Sequence, residues 1–242
     1  MRTHALAFAL AVAAAAPTAA ATRSYSVTGF ERIRVEGPYS VTLKVGPSNS
    51  AVATGDQRAI DRLRVEVQSR TLVIRADRSA SGGWQAESPG RLTIAVATPA
   101  LTAAILAGSG SLAIDRAKAM RFDLAVSGSG SATIGALASD RLSLALVGSG
   151  EIVIGGSAAQ TRASLQGSGT IDATRLAADD LDLSVTGSGD AHFTARRTAK
   201  VTTTGSGGVT VDGKPACTVT SSGSGEVRCG GAQRVGTGSA PE

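Results

Sequence analysis

Aromatic residues make up only 3% of this 242-residue chain, with four Phe, two Tyr and the single Trp84. So few rings exclude the stacking platforms of a sugar-processing groove or a single-strand nucleic-acid channel. Histidine is scarcer still. His4 sits in the apolar opening stretch, so His192 is the one imidazole in the body of the chain. A lone imidazole makes neither a metal site nor a catalytic triad. Beyond the opening stretch no run approaches 18 apolar residues, and that stretch is itself too short for a comfortable span. The charge of +5 is spread over single arginines and lysines, with no basic run interleaved with aromatics, which argues against nucleic acid. A diffuse basic exterior is usually a solvated surface, though it could attract acidic polysaccharide or lipopolysaccharide.

Glycine, by contrast, is abundant and periodic. Gly-Ser-Gly occurs seven times, beginning at Gly108, Gly128, Gly148, Gly167, Gly187, Gly205 and Gly223, in steps of 20, 20, 19, 20, 18 and 18 residues. A flexible linker keeps a composition but no period, whereas a period near 20 marks one supersecondary unit stacked on copies of itself. Two residues past each tripeptide stand Leu112, Ala132, Ile152, Ile171, Ala191, Val209 and Val227, and two residues beyond those Ile114, Ile134, Ile154, Ala173, Phe193, Val211 and Cys229. Two before it stand Leu106, Val126, Leu146, Leu165, Val185, Thr203 and Ser221. This period of two places a strand on each side of every tripeptide.

The spacing predicts an all-β chain, a parallel β-helix (solenoid) with Gly-Ser-Gly corners, with a meander or sandwich as the alternative. The corner glycines are Gly108, Gly110, Gly128, Gly130, Gly148, Gly150, Gly167, Gly169, Gly187, Gly189, Gly205, Gly207, Gly223 and Gly225. A corner needs residues that accept positive φ or close backbone approach. If the strands ran extended through it, both glycines would share the inward parity. The central serines, Ser109 through Ser224, would then form an outward ladder.

Residues 1–21 read as a secretory signal peptide: Arg2 and His4, an apolar run from Ala5 to Ala16, and Ala19-Ala20-Ala21 as the cleavage site. The mature chain is expected to begin near Thr22, not membrane-spanning after cleavage. Residues 22–100 have a different texture and are expected to form a β-rich N-terminal cap, since an open coil end exposes core and strand edges. Strands are expected near 30–35, 39–45, 51–54, 63–67, 71–74 and 92–97. A short helix follows Asp56 as N-cap. A polar loop at 79–90 holds Trp84. Residues 101–229 are the repeats and 230–242 a disordered tail.

The opening Val27-Thr28-Gly29-Phe30 with Ile33 and Val35, the pair Gly55-Asp56 followed by Leu72-Val73-Ile74, the repeats, and Val211-Asp212-Gly213-Lys214-Pro215 together resemble the head GIN domain family of auto-transporter adhesins, over roughly residues 24–229. The resemblance implies an exported bacterial β-helical protein of the periplasm, outer surface or medium, with an adhesion or assembly role. It brings no catalytic motif and no cofactor. A chain of this length is expected to carry no translocator barrel of its own. The partner would be an envelope or surface component, a glycan among the candidates.

The alternative is a polysaccharide-binding or polysaccharide-degrading β-helix. Degradation calls for clustered carboxylates. Asp115, Asp123, Asp172, Asp182, Asp190 and Asp212 fall at different phases of the repeat and do not stack, and the denser Asp179, Asp180 and Asp182 read as a turn plus an outward residue. No enzyme, metal or cofactor is therefore expected. Cys217 and Cys229 fall on the two strands flanking the last corner, both facing inward. Exported chains tend to pair their cysteines, so a disulfide is expected there, with two buried thiols as the alternative.

Overall fold

A computed structural model describes residues 20–77, 92–230 and 233–235. The expected leader up to residue 19, most of the Trp84 loop and nearly all of the expected tail lie outside the described residues. The described residues form a stack of β rungs, built as a parallel coil with an antiparallel cap.

Five strands precede the repeats: β1 (Ala21–Tyr25), β2 (Arg32–Glu36), β3 (Ser40–Val45), β4 (Ser50–Gly55) and, after helix α1 (Gln57–Asp61), β5 (Leu63–Gln68). Three more, β6 (Thr71–Ala76), β7 (Leu92–Thr98) and β8 (Ala103–Gly108), lead into the long strands β9 (Ser111–Gly128), β10 (Ser131–Gly148), β11 (Glu151–Gly167), β12 (Thr170–Gly187) and β13 (Asp190–Gly205). Short strands close the chain: β14 (Val209–Gly213), β15 (Ala216–Ser222), β16 (Val227–Cys229) and β17 (Gln233–Val235).

From β8 onward each strand lies parallel to its equivalent one repeat later. Leu112, Ala132, Ile152, Ile171, Ala191, Val209 and Val227 therefore form one buried column. Phe122, Leu142, Thr161, Leu181 and Ala199 form another, ending at half-buried Cys217. Burying one large aliphatic side chain contributes about 1.5–3 kcal/mol, and each repeat adds several to the same interior. The column of Leu106, Val126, Leu146, Leu165 and Val185 turns polar at Thr203 and Ser221, whose hydroxyls lie 3.4 Å apart and satisfy each other.

The uneven steps have a local cause. Between Gly148 and Gly167 the repeat is one residue short, and the β10–β11 register slips between Ile134 and Leu137. Gly156, at φ +119°, absorbs the slip: a Cβ there would stand 2.0 Å from the Leu137 carbonyl oxygen.

Residues 22–100 are not simply a cap laid on the coil. β2 pairs in parallel with both β6 and β8, and β3 with both β7 and β9. The β2–β3 rung thus lies inside the coil, between rungs made later in the chain. Its corner is Gly37-Pro38-Tyr39, a degenerate copy of Gly-Ser-Gly: Gly37 has φ +119°, and the Ser111 amide donates to the Tyr39 carbonyl at 2.9 Å as the Ser131 amide does to Gly110 at 3.0 Å. Antiparallel strands do the capping, with β5 on β6, β4 on β7 and β1 on β4. Asp56 caps α1 by accepting from the amides of Arg58 (2.8 Å) and Ala59 (3.3 Å), and α1 buries Ile60. Ala21, which the sequence places in the leader, pairs with Gly55 in β1. No helix of the described residues is long and apolar enough to cross a membrane.

Candidate binding surface

The corner is the repeated element, and its glycines divide two jobs. The first glycine bends the chain: Gly128, Gly148 and Gly167 have φ of +110°, +118° and +121°. The second is buried against the rung before it, so that a Cβ on Gly150 would meet the Gly130 carbonyl oxygen at 2.4 Å. The strands therefore do not run extended through the corner, and only the second glycine keeps the inward parity. The backbone amides of Ser129 and Gly130 converge on the Gly108 carbonyl at 3.1 and 2.9 Å, a fork repeated at later corners. The serines between the glycines, Ser109 through Ser224, are exposed. At the end of this ladder the Ser224 hydroxyl donates to Ser206 at 3.3 Å.

Outward side chains also stack in columns, because register is kept from rung to rung. Ahead of each corner, one column reads Arg121, Arg141, Gln160, Asp180 and Thr198. The next reads Arg32, Ala103, Asp123, Ser143, Arg162, Asp182, Lys200 and Thr218. Between them lies a depression of 480 Å³, with Arg121, Arg141, Arg162, Asp180, Asp182 and Lys200 among its walls. A second depression of 700 Å³ continues it toward the cap, adding Arg32, Lys118, Asp123 and Met120. The two share Arg121 and Ser143 and make one trough along the coil. Met120 stands 80% exposed in it.

The carboxylates named from sequence are not all at different phases: Asp123 and Asp182 each stand five residues before a corner and share a column, three rungs apart, while most of the set are held locally. Asp123 pairs with Arg121 at 3.2 Å, Asp182 with Arg162 at 3.5 Å and Asp179 with Arg196 at 3.7 Å, while Asp180 bonds Arg197 and the Thr198 hydroxyl. Asp115 accepts from the Val45 amide at 3.0 Å and Asp190 from the Gly208 amide at 2.9 Å. Asp172 accepts from the hydroxyl and amide of Thr174 at 2.7 and 3.1 Å. Those two bonds hold its carboxyl below the ordinary aspartate range, with His192 and Arg175 adding to the effect. His192 is exposed, on the strand beside Asp172. Among the described residues no group of three or more His, Cys, Asp or Glu is placed to hold a metal. Cys217 and Cys229 are bonded, with Cα atoms 6.3 Å apart, across the last corner.

Sequence reading did not find the trough. Its cations are scattered singly along the chain and align only once the rungs are stacked. The available signal was their phase. Arg121 and Arg141 stand seven residues before a corner, and Arg162 and Lys200 stand five before one.

The same coil recurs in solved structures. A putative adhesin from Bacteroides fragilis is 21% identical, covering 87% of this chain and 97% of its own, with a TM-score of 0.80. A putative adhesin from Parabacteroides distasonis is 24% identical over 86% and 96% of the two chains, TM-score 0.69. A putative lipid binding protein from the same organism is 23% identical over 88% and 97%, TM-score 0.69. At such identities the likeness is one of fold. No curated protein matches the chain. The family model for the putative auto-transporter adhesin, head GIN domain, matches residues 29–215, and this chain belongs to that family.

Proposed function

We propose that this chain is an exported, non-catalytic envelope protein that offers the outer faces of its coil for adhesion or assembly. The observation that carries the reading is the register. In-register stacking at about 4.8 Å per rung turns isolated residues into straight columns, and the one from Ala103 to Thr218 runs for roughly 30 Å. A rigid face of that length suits an extended partner. The family and two of the three structural relatives above are described as putative adhesins, and the third as a putative lipid binding protein, in keeping with a binding role. Carboxylates each held by a cation of their own, as Asp123 by Arg121 and Asp182 by Arg162, also fit binding better than acid–base chemistry. Residues 1–21 serve as the leader, and the mature protein acts in the periplasm, on the outer surface or in the medium.

The experiment sets purified mature protein against a glycan array and, in parallel, a hydrolase and lyase panel. Binding without turnover is the expected result. Turnover of any polysaccharide would replace this reading with the enzymatic one. N-terminal sequencing of protein recovered from the envelope tests the leader, with a first residue near Thr22 expected.

A further inference from the structure

We infer that the trough ahead of the corners is a binding site for a linear acidic polysaccharide, one carrying carboxylates along its length and lying parallel to the coil axis. This inference rests on the adhesive reading above and specifies its ligand.

The charge balance of the trough comes first. Arg32, Lys118, Arg121, Arg141, Arg162 and Lys200 line it, against the carboxylates Asp123, Asp180 and Asp182. Two of those cations are neutralised in place: Arg121 by Asp123 and Arg162 by Asp182. Among the described residues Arg32, Lys118, Arg141 and Lys200 have no carboxylate partner, and Arg141 reaches only the neutral Gln160 side chain at 3.4 Å. Three of these unpaired cations are evenly placed. Arg32 and Arg141 are three rungs apart, as are Arg141 and Lys200, which is roughly 14 Å each at the usual strand spacing. A single small anion could meet only one of them. A polymer with repeated charge can meet all three.

The remaining chemistry of the walls favours a sugar. Ser143, Gln160 and Thr198 supply hydroxyl and amide groups between the cations. Aromatics are too few to stack on neutral sugar faces or on nucleic-acid bases, so recognition must come from charge and hydrogen bonds. A lipid would need an apolar slot for its chains, and the trough offers Met120 as its one large exposed apolar side chain among the described residues. Unpaired guanidinium and ammonium groups are suited to carboxylates through charge-assisted hydrogen bonds.

The test measures binding of the mature protein to polygalacturonate and to oligogalacturonides of increasing length by calorimetry at two salt concentrations. Fully methyl-esterified pectin, double-stranded DNA and anionic phospholipid vesicles are the comparison ligands. Expected are binding to the polyuronate that strengthens with oligomer length and weakens with salt, and loss of binding to the ester. Arg141→Ala and Lys200→Ala should each weaken binding roughly tenfold, the loss of one charge-assisted contact. Arg228→Ala, on the other side of the corner, should leave affinity unchanged, and all three variants should melt as the parent does. Equal binding of the ester, wild-type affinity in both trough variants, or equal or tighter binding of DNA or vesicles would overturn the inference. An array hit on another glycan, with no response to polyuronate, would sink this inference while leaving adhesion standing.

Discussion

At the residue scale, the two members of each corner pair with the backbone in different ways, and substitutions should separate them. Gly150→Ala drives a methyl to 2.4 Å from the Gly130 oxygen, in the middle of a ladder that cannot shift without moving two rungs. It should cost about 3 kcal/mol or more, as overpacking against fixed backbone does. Ser149→Ala removes an exposed hydroxyl and should stay within about 0.5 kcal/mol of the parent. Thermal melts of the two variants check this, and a serine change as damaging as the glycine change would refute the corner's geometry. Thr161 makes the opposite case. It occupies an apolar column between Leu142 and Leu181, and its buried hydroxyl has no hydrogen-bond partner. An unsatisfied buried hydroxyl is a cost of about 1–3 kcal/mol, so Thr161→Val, nearly equal in volume, should raise the melting temperature. A lower melting temperature would mean that the hydroxyl is satisfied, by water within the coil.

At the scale of the element, the rung was largely legible in the sequence. The period of two and the fixed tripeptide together set which side chains face in, as at Ile134 and Ile154. The strands from β2 to β7 and the Asp56 cap were legible too, from local alternation and turn residues. Two features were not. The β2–β3 rung hides because its corner has become Gly37-Pro38-Tyr39, and because its neighbours in space come later in the chain. A sequence order cannot reveal that insertion. The trough hides because charge has no local pattern; its order exists only across rungs. The last rung carries a device of another kind. The Cys217–Cys229 bond spans 12 residues across the final corner, where half-buried Cys217 meets buried Cys229. Closing so short a loop contributes about 3 kcal/mol on the chain-entropy account. Reduction, or Cys217→Ser with Cys229→Ser, should therefore lower stability by about that much, read as a shift in the denaturant midpoint. An unchanged midpoint would mean that the two strands of the last rung are held in place by packing alone.

At the scale of the whole molecule, the two ends of the coil are built differently and should open differently. In a coil of stacked repeats each rung contacts only its neighbours, so an unprotected end frays one rung at a time. Among the described residues the C-terminal end comes nearer to that: β15 pairs with β13 and β16 with β14 in strands of seven residues or fewer, and the three-residue β17 lies on β16. The N-terminal end cannot behave so. Because β2 is held by both β6 and β8, and β3 by both β7 and β9, removing the outer rung uncovers an inner rung made earlier in the chain. The chain crosses back over that inner rung through residues 99–102. Thr98 donates its hydroxyl to the Phe30 carbonyl at 2.7 Å, and Thr102 its amide to the Glu31 carbonyl at 2.7 Å, tying the crossing to the rung it passes. Strands β2, β3, β6, β7 and β8 should accordingly open as one unit. Native-state hydrogen exchange should show their amides with one common opening free energy, and β9 to β12 protected at least as strongly. Protection should fall stepwise from β13 to β16. Reduction of the disulfide should speed exchange in β14, β15 and β16 and leave the N-terminal unit as it was. Independent exchange of β2–β3 and β6–β7 would show that the inserted rung does not couple them, and that the cap is a separate folding unit after all.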